Sequence, residues 1–133
     1  MKIENISIQF KSDNKLIQGM LHLPDKSLPP LVIGSHGLEG SMDSAKQLVL
    51  ARILPENGIA FLRFSHRGCG TSEGSFVDDT SIPKRVQDMI SAVDHALSMK
   101  VTSQKIFLFG SSLGGSTCIA AWSKLVEKGI TLL

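Results

Sequence analysis

The sequence predicts an α/β fold: a mostly parallel sheet that opens with an antiparallel hairpin and carries helices on both faces. Three observations predict it. Short apolar runs at residues 31–35, 59–64 and 106–109 alternate with segments of helical periodicity. Two strand-like runs near the N-terminus flank the turn-rich Ser12-Asp13-Asn14-Lys15. Glycine and proline fall where the period changes, at Pro24, Pro30, Pro55, Gly58, Pro83 and Gly129. Such alternation after an opening hairpin argues for strands joined by crossover helices.

The elements follow in order. Ile3, Ile6, Ile8 and Phe10, then Leu16, Ile17, Met20, Leu21 and Leu23, mark the two hairpin strands. Residues 24–30 form a polar, proline-marked connection, and Leu31-Val32-Ile33-Gly34-Ser35 reads as a strand buried on both faces. His36 to Asp43 has loop composition. A helix is expected over residues 44–57, with Ser41, Asp43 or Ser44 as N-cap, an apolar stripe of Ala45, Leu48, Val49 and Ile53 widened by Leu50 and Leu54, and a stop at Pro55 and Gly58. A strand at 59–64 and a long Gly-, Ser- and Asp-rich loop at 65–81 come next. Pro83 then opens a helix whose Val86, Met89, Ile90, Val93 and Leu97 share one face. Ile106-Phe107-Leu108-Phe109 is a strand, 113–127 a helix with Ile119, Trp122 and Val126 on one side, and 130–133 the start of another strand.

A 133-residue chain with 42% apolar and 20% charged residues fits a single globular domain. The formal net charge of +2, with scattered Lys and Arg, argues against nucleic acid or an anionic membrane as partner. No apolar run approaches the length of a membrane span, and MKIENISIQF lacks the unbroken apolar segment of a secretory signal. Cys69 and Cys118 have neither metal-type spacing nor the number for a disulfide framework, so reduced thiols in a cytoplasmic protein without metal or cofactor are expected.

The chemistry-bearing stretch is KIFLFGSSLGG, residues 105–115: an apolar strand, then Gly110-Ser111-Ser112-Leu113-Gly114, then a helical pattern. With 12 glycines in the chain a lone G-x-S-x-G is weak evidence, but its position between strand and helix is where a serine becomes a nucleophile. Gly110 and Gly114 let strand and helix approach closely around a strained turn, and the Leu113 N–H would face an oxyanion on an acyl group held by Ser112. A strand-to-helix turn that merely contains serine, or an anion site at a helix N-terminus, are the competing readings. Against the anion site, no Lys-Ser/Thr pair ends the turn, and the glycines are not spaced G-x-G-x-x-G. The same absence of a phosphate loop counts against a nucleotide-binding domain.

Two further segments strengthen the nucleophile reading. His36-Gly37-Leu38-Glu39-Gly40 follows a buried strand, as does the loop that supplies a second oxyanion N–H in lipases and esterases. The stretch from Ser65 to Gly74, SHRGCGTSEG, follows the next strand. With these three motifs in register, the chain resembles the N-terminal half of the α/β-hydrolase superfamily. It is most similar to compact esterases and serine aminopeptidases, including feruloyl-esterase, monoglyceride-lipase and dienelactone-hydrolase relatives. In that family the middle loop commonly reads D-x-R-G-x-G-x-S-x-G; here Ser65 stands where the aspartate usually is.

The resemblance implies Ser112 as nucleophile, backbone N–H groups of Leu38 and Leu113 as oxyanion hole, Gly110 and Gly114 as the elbow glycines, and His36 and Gly37 as shapers of the oxyanion loop. It also implies that an acid and then a histidine follow the serine. Only 21 residues follow Ser112; none is histidine, and Glu127, about four turns along the helix, is the one acid. His22, His36, His66 and His95 all precede Ser112, as do Asp78, Asp79, Asp88 and Asp94. No internal triad is evident, and Cys69 is read as a bystander.

The expectation is therefore a truncated α/β-hydrolase fold, residues 1–133 being the N-terminal part of one domain that stops at the start of the strand after the nucleophile helix. In the resembled fold the remaining half covers the helix at 44–57, so this chain is expected to self-associate or to pair with a complementing C-terminal half. The expected function is hydrolysis of a small-molecule ester, or less readily an amide, through an acyl-Ser112 intermediate. The alternative is a catalytically inactive, degenerate hydrolase that acts as a binding or interaction subunit.

Overall fold

A computed structural model describes residues 2–133. Asp13 and Asn14 both adopt positive φ (48° and 65°), the requirement of a two-residue type I′ turn, and they join β1 (Ile3–Ser12) to β2 (Lys15–Pro24) in antiparallel register. Then follow β3 (Leu31–Ser35), α1 (Ala45–Glu56), β4 (Ala60–Phe64), α2 (Phe76–Asp79), α3 (Ile82–Ser98), β5 (Lys105–Gly110), α4 (Leu113–Glu127) and β6 (Thr131–Leu132). The sheet runs β1-β2-β4-β3-β5-β6, with β2 antiparallel to β4 and all later pairings parallel.

Helices lie on both faces, as the alternation predicts. α3 and α4 pack against each other and over β1, β3 and β5, while α1 covers β2 and β4 on the opposite face. The main core fills the α3/α4 side: Ile17, Leu21, Leu31, Ile33, Leu62, Phe64 and Ile106 of the sheet meet Val86, Met89, Val93, Ala121 and Leu125 of the helices. Each strand alternates between this core and the other face, which is why β1 buries Ile8, Phe10 and Ser12 but exposes Ser7, Gln9 and Lys11.

Several local expectations change. The long loop at 65–81 contains the four-residue helix α2, capped by Ser75 Oγ, which accepts from the Asp78 N–H. Pro55 lies inside the last turn of α1 instead of ending it, and Ser44 is the N-cap without a side-chain capping bond. His95, on the polar side of the α3 periodicity, is half-buried and stacks on Phe10 at 5.6 Å between ring centroids.

The largest difference concerns which helical faces are covered. α1 buries Gln47 and Pro55, whereas Leu48, Val49 and Ile53 are 45%, 47% and 40% exposed. The reason is lateral: α1 sits over β2 and β4, so the stripe that follows its apolar periodicity overhangs β5, whose Phe107 and Phe109 also lack a cover on that side. A groove of about 270 Å³ runs between Ala45, Lys46, Val49, Leu50 and Phe109. Across the sheet, α4 buries Thr117, Cys118, Ala121 and Leu125, and the predicted side with Ile119, Trp122 and Val126 faces outward. The two uncovered strips flank the β5–β6 margin.

Candidate active site

β3 and β5 are parallel neighbours with Ser35 opposite Gly110, so both strands end at the same level. That register sets the loop beginning at His36 beside the turn beginning at Ser111. A methyl group on Gly37 would sit 3.7 Å from the Ser111 carbonyl oxygen and 3.8 Å from Ser112 Cβ. Gly34 pairs with Arg63 of β4 in the same parallel sense, so the loop from Ser65 joins them and all three motifs meet at one end of the sheet.

Ser112 has φ 56° and ψ −123°, a conformation that L-residues with a side chain rarely occupy. It is exposed, and its hydroxyl makes no hydrogen bond within the described residues. The close approach of strand and helix depends on glycine: a Cβ on Gly110 would overlap the Gly114 carbonyl, and one on Gly114 would overlap the Ser35 carbonyl oxygen. Leu113 opens α4, and neither its N–H nor that of Leu38 donates to another group among the described residues. Leu38 itself is 47% exposed.

Behind this corner lies a buried polar network. His36 Nδ1–H donates to the Gly37 carbonyl at 2.7 Å, and its Nε2 accepts from the His66 N–H at 3.0 Å. These partners fix one neutral tautomer, because a carbonyl only accepts and an amide N–H only donates. Burial, then the neighbouring His66, lowers the His36 pKa to about 3. His66 is fully buried: Asp88 Oδ2 lies 3.2 Å from Nδ1, and Ser35 Oγ lies 2.7 Å from Nε2. Burial lowers its pKa to about 4 despite Asp88, so Nδ1–H donates to the carboxylate and Ser35 O–H donates to Nε2. The connectivity is that of a Ser-His-Asp relay, but none of the three side chains reaches solvent or Ser112.

Asp88 also accepts from the Arg67 N–H at 2.9 Å and from Arg67 Nε at 2.9 Å. Burial alone would raise its pKa; the bonds from His66 and Arg67 outweigh this and hold it below the usual carboxylate value. Arg67 continues to Ser12 Oγ and Asp13 Oδ2, both at 3.0 Å, and so ties the hairpin turn to the network. Arg85, 1% exposed, donates to the carbonyls of His36 at 2.7 Å and Gly37 at 3.1 Å, and approaches Cys69 Sγ at 4.0 Å. Ser65, in the position where aspartate is common, accepts from the Met42 N–H at 3.0 Å and so joins the two loops.

The structure thus gathers Ser112, Leu113, His36, Gly37 and Leu38, with Gly110 and Gly114 beneath them. It gives none of the four histidines to Ser112. His22 is bonded to Asn5 and to Arg63 Nε, and His95 stacks on the hairpin. Both thiols are buried and free, with burial raising the pKa of Cys69 and raising that of Cys118 to about 11. Sequence reasoning passed over Arg85 and gave no role to Arg67, within SHRGCGTSEG, or to Asp88, named among the upstream acids. The available signal was a cation and an anion three residues apart beside the apolar stripe of α3. It also missed Lys46, whose ammonium donates to Ser111 Oγ at 2.8 Å. A cavity of about 260 Å³ lies there, between the His36–Gly37 turn, Ser111 and the first turn of α1.

Comparison with known proteins identifies the family and the fold. The sequence pattern described as serine aminopeptidase, S33, matches residues 28–130. The quorum-quenching protein AidA of Acinetobacter baumannii is 27% identical over 86% of this chain and 38% of its own length. The thiohydrolase aneE of Aspergillus aculeatus is 30% identical over 82% of this chain and 34% of its own. Est1E of Butyrivibrio proteoclasticus, solved with ferulic acid bound, superimposes with a TM-score of 0.83 at 26% identity, covering 94% of this chain and 50% of that one. The chain therefore spans between a third and a half of the length of these relatives.

Proposed function

The chain belongs to the serine aminopeptidase S33 family of α/β hydrolases, and from that premise we propose that it carries the nucleophile and oxyanion hole of a serine hydrolase acting on esters or thioesters. The single observation that carries the reading is the strained, exposed Ser112 set directly against the Gly37 backbone. The name thiohydrolase carried by aneE and the ferulic acid bound to Est1E support the substrate class.

In the proposed reaction Ser112 Oγ attacks the acyl carbon, and the carbonyl oxygen takes up negative charge facing the N–H groups of Leu38 and Leu113. The bond to the leaving alcohol or thiol then breaks, and the serine proton passes through a general base to that leaving group. Water repeats the sequence on the acyl-Ser112 ester and releases the acid. Losing one oxyanion donor typically costs about 2.7–4 kcal/mol of transition-state stabilisation. His36 and His66 have both ring nitrogens occupied, so the base and its acid are assigned to polypeptide equivalent to the part of the relatives that this chain does not span. The uncovered strips beside β5 and β6 are where that polypeptide would seat.

Hydrolysis of p-nitrophenyl acetate and butyrate, and labelling by a fluorophosphonate, test the reading on wild type and Ser112→Ala. Without a base of its own the chain should give only a slow residual signal, and that signal is expected to disappear in Ser112→Ala. Equal signals from both would overturn the nucleophile and favour a binding subunit.

A further inference from the structure

Arg85 is a buried cation without a carboxylate partner among the described residues. Asp88, one turn along α3, is taken by Arg67 and His66. Leaving a guanidinium in the interior without an ion partner is costly, so its hydrogen bonds must hold it. Those bonds go to two consecutive carbonyls, His36 and Gly37, of the loop facing Ser112.

The geometry of a trans peptide gives this grip a direction. In a planar peptide the C=O of one residue and the N–H of the next point oppositely. The Gly37 carbonyl accepts from Arg85 Nη2, from His36 Nδ1 at 2.7 Å and from the Gly40 N–H at 3.2 Å. With that oxygen held toward the interior by donors from α3 and from the loop itself, the Leu38 N–H must face away from Arg85. It finds no acceptor among the described residues, and the Gly37 end of the same peptide lies beside Ser112, where a Cβ on Gly37 would sit 3.8 Å from Ser112 Cβ.

We propose that Arg85 is a positioning residue for oxyanion binding: anchored on the His36 and Gly37 carbonyls, it holds the Gly37–Leu38 peptide plane so that the Leu38 N–H stays turned toward Ser112. This rests on the reading of Leu38 as an oxyanion donor, although the peptide-plane effect is separable from it. The planar fork of arginine suits two adjacent carbonyls, whereas a lysine ammonium on its flexible stem is a compact point charge that lacks this pre-set geometry.

The test uses the full chain as wild type, Arg85→Met, Arg85→Lys and Ser112→Ala. Selective ¹⁵N-leucine labelling follows the Leu38 amide by NMR, alongside fluorophosphonate labelling of Ser112. In Arg85→Met the Leu38 resonance is expected to move and its solvent exchange to change while leucine amides of α1 and α4 stay in place. The Ser112-dependent labelling rate is expected to fall about 10²–10³-fold, the loss seen when one oxyanion donor is removed. Arg85→Lys is expected to restore part of both signals. If Arg85→Met does not fold, Arg85→Lys decides: an unshifted Leu38 amide overturns the proposal, and a shifted one supports it. A Leu38 amide unmoved in a folded Arg85→Met overturns it outright. Equal labelling of wild type and Ser112→Ala overturns the nucleophile reading instead, with the amide readout still deciding the role of Arg85.

Discussion

His66 and Asp88 meet in the interior with Nδ1 3.2 Å from Oδ2, and neither side chain has any exposure to solvent. The contact joins the end of β4 to the middle of α3, and through Ser35 to the end of β3. A carboxylate placed there satisfies a histidine, an arginine and a backbone N–H at once.

Asp88→Ala is therefore expected to cost about 3–5 kcal/mol, the usual penalty for leaving a buried charge without its partner. Asp88→Asn, which keeps an oxygen for Arg67, should cost less. Urea denaturation of both variants checks the order. An alanine variant as stable as wild type would show that Arg67 and His66 find other partners.

Acid should weaken the fold well above the range where carboxylates titrate. His22 and His66 have folded pKa values of about 4 and His36 about 3, against 6.5 for the free side chain. Below pH 6.5 the unfolded chain takes up protons that the folded chain refuses, so stability is full above 6.5 and declines as pH falls through 6.5 toward 4. The measurement is the urea midpoint at pH 7.5, 6, 5 and 4.5. His22→Gln, remote from the serine corner, should shallow the decline; a flat profile in wild type would contradict the assignment.

The backbone at Ser112 predicts a trade of activity against stability. Its φ of 56° and ψ of −123° carry a strain of about 1–3 kcal/mol that glycine does not feel. Ser112→Gly is expected to raise the melting temperature, whereas Ser112→Ala, which keeps a Cβ, is not. Calorimetry on the two variants separates them, and equal stabilisation by both would remove strain as the cause.

Exposed apolar side chains on α1, β5 and α4 predict binding of ANS and self-association. Each 100 Å² of apolar surface left in water forgoes about 2.5 kcal/mol relative to burial. Ile119, 79% exposed, and Val49, 47% exposed, can be replaced by lysine without entering the core. Val49→Lys/Ile119→Lys should lower ANS fluorescence and shift gel filtration toward monomer with an unchanged circular dichroism spectrum. A wild-type sample that is monomeric, ANS-silent and melts cooperatively would contradict this.

Much of the fold was legible because its signals are local. Asp13-Asn14 announced a tight hairpin, and Pro83 with the Val86–Met89–Val93 periodicity announced α3. Gly110 and Gly114 marked the sharp corner from residue type alone. What stayed hidden depends on where elements sit laterally. The stripe through Val49 and Ile53 gives the helical period but says nothing about whether a neighbour covers it. Arg85 and Asp88 look like solvated charges in the sequence, and only packing of α3 beneath the His36 loop turns them inward. Ser35 was invisible for the same reason, since its partner lies 31 residues away.

The chain of bonds from Asp13 through Arg67, Asp88 and His66 to Ser35 also bears on how the molecule is made. Its members come from four separate stretches of sequence, so no short segment emerging during synthesis contains a working corner. Contacts so distant along the chain form late and together, because loop closure must be complete before any of them is rewarded. A partly folded intermediate should thus hold a formed hairpin while its serine turn is still unstrained, and pulse-labelled hydrogen exchange should find the amides of His66 and Arg67, bonded to His36 and Asp88, among the last to be protected.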